Sequence, residues 1–215
     1  MKIFLDTADT SIITKHFASG LIDGVTTNPT LIKKSGRDPL EVYQELKDLG
    51  LQDISMEVVG DADEMIKEGK GLYDTFGDCC TVKVPCSPDG LRACKELSDL
   101  NIRVNVTLIF SQVQAILSAK AGATYVSPFV GRVDDNSFGG ICLVKDIVNV
   151  FREHFTKTQV LAASIRNVRD VGRLFEHGAE IVTMPPAVFE KMYNHILTDK
   201  GLELFQADWE SVHNT

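Results

Sequence analysis

The sequence predicts an α/β fold, a (β/α)8 TIM barrel with a C-terminal helical tail. Eight short runs rich in β-branched residues alternate with eight longer amphipathic segments along 215 residues. This alternation is typical of βαβ units around a parallel sheet, and eight units in this length fit a compact barrel. A doubly wound open sheet is the alternative. No Gly-x-Gly-x-x-Gly loop follows the first strand, which disfavours a dinucleotide-binding fold.

Hydrophobic periodicity and cap residues locate the elements. The predicted strands are Ile3–Leu5, Gly24–Thr27, Ile54–Val58, Thr81–Val84, Arg103–Val106, Tyr125–Phe129, Gln159–Ala163 and Ile181–Met184. The predicted helices are Asp9–Ser19, Asp38–Leu49, Asp61–Phe76, Pro88–Leu100, Gln112–Ala121, Gly139–Phe155, Val168–His177 and Pro186–Ile196. No linker or repeat interrupts the chain, so we expect one domain over residues 1–215. Residues 201–215 form a partly apolar tail, which either closes the barrel or crosses to a neighbouring subunit.

Composition narrows the class of protein. The chain is 44% hydrophobic and 24% charged, as is usual for soluble globular proteins. A net charge of −8 argues against nucleic-acid and anionic-membrane partners. Five cysteines without a Cys-x-x-Cys pair predict reduced thiols in a cytoplasmic protein, not a disulfide framework or a zinc site. Neither a secretory signal nor a membrane span is visible in the sequence.

Lys83 is the least expected residue in the predicted strands. In the run Cys79–Pro85, Val82 and Val84 point to one face and Lys83 to the other. In a sheet buried on both faces an ammonium is costly to desolvate, and burial disfavours the charged form. The uncharged amine is a nucleophile that forms a Schiff base with a carbonyl. An edge-strand lysine that reaches water explains this strand equally well.

Polar side chains follow several predicted strands at their carboxyl ends, where (β/α)8 enzymes have their active sites. Each has an ordinary explanation when taken alone. Asp6 can cap a turn, Thr107 can cap the next helix, and the arginines can form surface ion pairs. Their joint placement on one rim predicts a site. The candidates are Asp6, Thr27, Asn28, Glu57, Lys83, Thr107, Ser127, Phe129, Arg132, Ser164 and Arg166.

Five stretches carry recognisable motifs: residues 4–8, 24–30, 82–85, 123–132 and 161–167. The most specific are Thr-Thr-Asn-Pro at 26–29 and Ser-Pro-Phe-Val-Gly-Arg at 127–132. In order, and over nearly the whole chain, these motifs resemble the transaldolase family, in particular its short single-barrel subgroup. Short members commonly assemble into rings, often decamers, so the resemblance also implies a homo-oligomer.

The resemblance implies Schiff-base chemistry on sugar phosphates, with no cofactor and no metal. Lys83 would attack the C2 carbonyl of a ketose phosphate and form an imine. Asp6 would take the proton of the C4 hydroxyl, and Glu57 and Thr107 would hold the water that relays protons. The substrates implied are fructose 6-phosphate or sedoheptulose 7-phosphate as donor and erythrose 4-phosphate or glyceraldehyde 3-phosphate as acceptor, in the pentose phosphate pathway.

The resemblance also implies which residues bind the substrate. Asn28 and Ser127 would contact the dihydroxyacetone unit, while Arg132, Ser164 and Arg166 would hold the phosphate, since guanidinium groups suit phosphate oxygens. The implied substrate-binding set is Thr27, Asn28, Ser127, Phe129, Arg132, Ser164 and Arg166.

Three rivals remain. A fructose 6-phosphate aldolase would release free dihydroxyacetone. Such relatives carry glutamine, tyrosine and lysine where this chain has Glu57, Phe129 and Arg166, so all three positions favour the transferase. A Schiff-base aldolase acting on deoxyribose phosphate is not expected to carry the two specific motifs. A catalytically inactive barrel that only binds ligands is disfavoured because Lys83 and Asp6 are both present.

Overall fold

The computed structural model describes residues 1–213, and these residues form a closed barrel of eight parallel strands surrounded by helices. Each strand pairs in parallel with the next, and β8 pairs with β1 to complete the ring. The predicted (β/α)8 barrel is therefore confirmed. Because the ring is closed, no strand of the barrel has a free edge.

The strands and helices alternate in chain order. The strands are β1 (Lys2–Asp6), β2 (Gly24–Thr26), β3 (Ile54–Glu57), β4 (Cys80–Pro85), β5 (Val104–Ile109), β6 (Tyr125–Pro128), β7 (Gln159–Ala162) and β8 (Ile181–Met184). The helices are α1 (Thr10–Phe17), α2 (Pro29–Ser35), α3 (Pro39–Asp48), α4 (Ala62–Phe76), α5 (Pro88–Asp99), α6 (Gln112–Lys120), α7 (Val130–Asp135), α8 (Gly140–Glu153), α9 (Val168–Glu176), α10 (Pro186–Lys191) and α11 (Ile196–His213), with a 3₁₀ turn at Gly77–Cys79.

Two helices were not predicted. Helix α2 has seven residues and α7 has six, too few for a helical period to show in the sequence. The Asn28 side chain caps α2, accepting from the amide of Leu31, and proline occupies the first turn. Both helices begin directly after a barrel strand, so they form the rim that surrounds the site.

The predicted C-terminal helical tail is confirmed, but its start differs from the prediction. The expected helix 186–196 ends at Lys191, and α11 starts at Ile196, before the predicted start of the tail at Gly201. No residue of α11 is buried, although Phe205 and Trp209 are among its large apolar side chains. Residues 201–213 of the tail therefore do not close their own barrel. No helix within residues 1–213 is both long and apolar enough to cross a membrane.

The barrel interior is packed at one end and open at the other. At the amino-terminal end the buried Asp53 accepts hydrogen bonds from Thr81 at 2.8 Å, Tyr125 at 2.6 Å and Arg103 at 2.8 Å. A small apolar cluster that includes Phe4 fills the space beside it. The main apolar core lies between the strands and the helices. Within residues 1–213, the space inside the barrel that remains for a ligand is at its carboxyl end.

Candidate active site

Lys83 lies inside the barrel, in the strand β4. Its ammonium donates to Glu57 Oε2 at 2.8 Å and to the carbonyl oxygen of Thr27 at 2.9 Å. The residue is only 5% exposed, and β4 is flanked by β3 and β5, so the edge-strand interpretation is wrong. The Glu57 carboxylate compensates the charge of the buried ammonium.

Glu57 reaches Lys83 because of strand register. The two residues are paired between the neighbouring strands β3 and β4, which places their side chains on the same face. Glu57 is absent from the lining of the main cavity and lines a shallower groove beside α2 and α3. Glu57 is therefore connected to the cavity through its hydrogen bond with Lys83.

Asp6 ends β1 on the same rim. Its Oδ1 accepts a hydrogen bond of 2.8 Å from the hydroxyl of Thr26. Desolvation by burial raises the pKa of the Asp6 carboxyl, while the Thr26 hydrogen bond and the charge of Lys83 partly lower it and the charge of Glu57 raises it further. A carboxyl group with a raised pKa is a better proton acceptor than an ordinary surface aspartate.

The cavity at this rim encloses about 110 Å³ and is lined by both Asp6 and Lys83. It is of a size for a small polar molecule. Its lining is Asp6, Thr26, Asn28, Lys83, Thr107, Ser127, Phe129, Arg132, Ala163, Ser164 and Thr183. Eight of the eleven residues predicted for the site are in this set, and Thr27, Glu57 and Arg166 are not.

Two residues present unused polar atoms to the cavity. Thr107 is buried in β5, and its hydroxyl has no hydrogen-bond partner within residues 1–213. Buried polar groups are normally satisfied, so this hydroxyl is available to a ligand or water. Asn28 uses its Oδ1 to cap α2, which leaves its amide NH₂ as a donor at the rim.

Thr27 has a different role from the predicted one. Its hydroxyl donates to the Ser55 carbonyl oxygen at 2.9 Å and lies 3.2 Å from Tyr43 Oη, so it points away from the cavity toward α3. Side chains alternate along a strand, and Thr26 therefore occupies the inward position. Thr27 contributes its backbone carbonyl, which accepts from Lys83.

The two predicted phosphate-binding arginines differ in their surroundings. Arg132 lies 4.9 Å from the ring centre of Phe129, a cation–π contact, and lines the cavity. Among the described residues it has no carboxylate partner. Arg166 instead forms a two-pronged ion pair with Asp135 at the end of α7. Only Arg132 is therefore directly open to an anion.

Three polar residues inside the barrel are absent from the predicted site set, although Thr26 belongs to the Thr-Thr-Asn-Pro motif. Thr26 and Thr183 line the cavity, with their hydroxyl oxygens 2.7 Å apart. Asn105 lies one layer below, where its Oδ1 accepts from Ser127 at 2.7 Å and its amide donates to Ser55 at 3.2 Å. Side chains along a strand point alternately into and out of the barrel. This alternation, counted from the predicted residues of the same or neighbouring strands, identifies all three as inward-facing.

Comparison with known proteins shows the family of the chain. The family model described as Transaldolase/Fructose-6-phosphate aldolase matches residues 3–215. A probable transaldolase of Cereibacter sphaeroides is 51% identical over 216 residues, covering 100% of this chain and 98% of its own length. This chain is also similar to a probable transaldolase of Paracoccus denitrificans, with 52% identity over 97% of this chain and 96% of the relative. A probable transaldolase of Anaeromyxobacter sp. is 51% identical over 99% of this chain and 98% of its own length. The chain therefore belongs to the transaldolase/fructose-6-phosphate aldolase family.

Proposed function

We propose that this protein is a transaldolase that transfers a dihydroxyacetone unit from a ketose phosphate to an aldose phosphate. Fructose 6-phosphate or sedoheptulose 7-phosphate is the donor, and erythrose 4-phosphate or glyceraldehyde 3-phosphate is the acceptor. The observation that carries the proposal is the buried Lys83 amine, which lies beside the carboxylate of Glu57 and lines one small cavity together with Asp6 and Arg132.

Schiff-base formation at Lys83 is the first step of this proposal. The ammonium passes a proton to Glu57 across their 2.8 Å contact, and the neutral amine attacks the C2 carbonyl of the ketose. The carbinolamine then loses water to give a protonated imine. The free hydroxyl of Thr107 supports this step because it can hold the leaving water.

Asp6 acts in carbon–carbon cleavage. Its carboxylate takes the proton of the C4 hydroxyl, the C3–C4 bond breaks, and the bonding electrons move into the imine to form an enamine. The aldose phosphate leaves. The enamine then attacks the aldehyde carbon of the acceptor while Asp6 returns its proton to the aldehyde oxygen, and hydrolysis of the new imine frees Lys83. The raised pKa of Asp6 supports its role as the base.

The remaining lining residues bind the sugar. Asn28 offers its amide NH₂ and Ser127 its hydroxyl oxygen to the hydroxyls of the dihydroxyacetone unit. Arg132 and Ser164 receive the phosphate, and Arg166 joins them when its guanidinium turns from Asp135 to the phosphate. The phosphate group is thereby held at the rim, and the carbonyl carbon lies near the lysine.

Fructose 6-phosphate aldolase activity is the second candidate, and Phe129 argues against it. The ring packs between Phe110 and Arg132 and carries no hydroxyl that could position water or donate a proton. Without that group, protonation of the enamine and release of free dihydroxyacetone should be slow compared with transfer to an acceptor.

The proposal is tested by measuring glyceraldehyde 3-phosphate release from fructose 6-phosphate with and without erythrose 4-phosphate. We expect release to depend on the acceptor, and release without acceptor would instead identify an aldolase. Phe129→Tyr should raise cleavage without acceptor. Phe155→Tyr, which adds the same hydroxyl at a site 92% exposed, should leave this rate unchanged. No gain in the Phe129 variant would refute the argument from its ring.

The imine itself is tested by borohydride reduction in the presence of a ketose phosphate. We expect a stable mass adduct on Lys83, which peptide mapping can locate, and no adduct in Lys83→Met. A wild-type protein that turns over substrate without a trappable adduct would contradict the Schiff-base mechanism.

We also propose a homo-oligomer in which α11 packs against a second copy of the chain. The helix has 18 residues, none of them buried, and Trp209 is 64% exposed. Apolar surface of this extent on a helix is normally covered, and an isolated helix gains little stability from itself. Light scattering should show an oligomer, with a decamer as the expectation from short relatives. A monomer would refute this assembly.

The setting of the protein is proposed from the same resemblance. Residues 1–215 act as one domain in the pentose phosphate pathway of the cytoplasm. The five free cysteines support a reducing compartment.

A further inference from the structure

A short chain of threonine hydroxyls lies behind Asp6. Thr26 ends β2 and Thr183 lies in β8, and these two strands flank β1 on opposite sides. Their Oγ1 atoms are 2.7 Å apart, and Thr26 Oγ1 is 2.8 Å from Asp6 Oδ1. Both threonines are buried. The three groups form one hydrogen-bonded line that ends at the carboxylate.

The direction of these hydrogen bonds follows from donor counting. An ionised carboxylate only accepts, so the single hydroxyl proton of Thr26 must go to Asp6. The proton between the threonines then has to come from Thr183, which donates to Thr26. If Asp6 is protonated on Oδ1, the same line can run in reverse. Within residues 1–213 no protein group bonds Asp6 Oδ2, which remains for the substrate.

We propose that Thr183 is a positioning residue that acts through Thr26 to fix Oδ1 of Asp6 and present Oδ2 to the substrate hydroxyl. This role depends on the proposed function of Asp6 as the base. In this role Thr183 acts on Asp6 through Thr26 and takes no part in the chemical steps. Its donated hydrogen bond polarises the Thr26 hydroxyl and so strengthens the bond from Thr26 to the carboxylate.

The effect of Thr183 on Asp6 can be measured as a change in the pKa of Asp6. Lys83 on β4 and Glu57 on β3 are the charged groups that act on Asp6, with opposite signs. Burial raises the pKa of Asp6, and the Thr26 hydrogen bond is the largest influence that lowers it. Weakening that bond therefore leaves desolvation less opposed, and the pKa of Asp6 rises further.

The test compares pH profiles of kcat/KM for Thr183→Val and Thr183→Ser. In the valine variant we expect the acid limb to move up by about 0.1–0.3 pH unit, because neighbouring hydrogen bonds strengthen one another by roughly 10–30% and loss of the whole Thr26 bond is worth about 1 unit. Serine keeps the hydroxyl and should restore the wild-type limb. Thr26→Val removes the bond to Asp6 itself and should shift the limb by about 1 unit.

A purely structural role gives a different result. Thr158→Val removes another buried hydroxyl, which donates to the Ala123 carbonyl at the far end of the barrel. It should lower stability without moving the acid limb. If Thr183→Val behaves in the same way, or if Thr183→Ser does not restore the limb, the proposed role of Thr183 is wrong.

A readout without turnover separates this inference from the proposed function. The Asp6 carboxyl can be titrated by ¹³C NMR, with Asp6→Asn assigning its signal. We expect a higher Asp6 pKa in Thr183→Val than in wild type. Equal values would overturn the hydrogen-bonded line even if the enzyme is active, whereas an inactive wild type with the expected shift would overturn the transaldolase assignment and leave the hydrogen-bonded line from Thr183 to Asp6 intact.

Discussion

The pair formed by Lys83 and Glu57 should be strongly coupled in stability. The two charges are 2.8 Å apart, with side chains only 6% and 14% exposed. At an effective dielectric constant of about 20, unit charges at this distance attract by about 6 kcal/mol. Desolvation of the two ions offsets part of this attraction. We expect a net coupling of about 2–4 kcal/mol.

A double-mutant cycle measures this coupling. Wild type, Glu57→Gln, Lys83→Met and the double variant are unfolded by heat and by urea at one protomer concentration. Each single change leaves one partner unpaired and should cost about 3 kcal/mol, which lowers Tm by roughly 6–12 °C in a chain of this size. The double variant should lose about 2–4 kcal/mol less than the sum of the single losses.

The exposed pair of Arg92 and Asp63 provides a matched control. Its side chains are 56% and 77% exposed, so solvent screens the charges and no measurable coupling is expected. If the cycle for Lys83 and Glu57 is likewise additive within about 0.5 kcal/mol, the two groups are not held as a buried ion pair.

Three further predictions concern the rim. Asp6→Asn should abolish turnover and stabilise the fold at pH 7, because burial raises the pKa of Asp6 above its ordinary value of 3.8 and the ionised carboxylate therefore opposes folding. Acid unfolding curves should show this gain in stability vanish below pH 3.8, where the carboxyl is protonated in both the folded and the unfolded chain. Gly131→Ala should weaken phosphate binding as measured by calorimetry, because the added Cβ would lie 2.4 Å from the backbone carbonyl oxygen of Ser164. Gly172→Ala is the control and should leave phosphate binding unchanged, since no atom lies within 4 Å of its added Cβ. Asp135→Asn releases Arg166 and should tighten inorganic phosphate binding by about twofold to fivefold; weaker binding would mean that Asp135 holds Arg166 in its binding position.

The barrel and most residues of the predicted rim follow from the linear pattern of the chain. Alternating strand and helix patterns predict the barrel, and the carboxyl ends of parallel strands meet at one edge, so polar residues at those ends must converge. Asp6, Lys83, Thr107 and Arg132 were found in this way. The proposed chemistry comes from the motif resemblance, because periodicity carries no information about reactions.

The contacts among these side chains follow instead from the packing of distant segments in three dimensions. Closure of the barrel brings β8 beside β1, and Thr183 thereby meets Thr26, which lies 157 residues earlier in the chain. The pairing register, not the local sequence, sets Glu57 against Lys83. Arg166 lies against Asp135 because loops after neighbouring strands pack together. Such contacts depend on register and side-chain direction across distant segments, which a linear pattern does not specify.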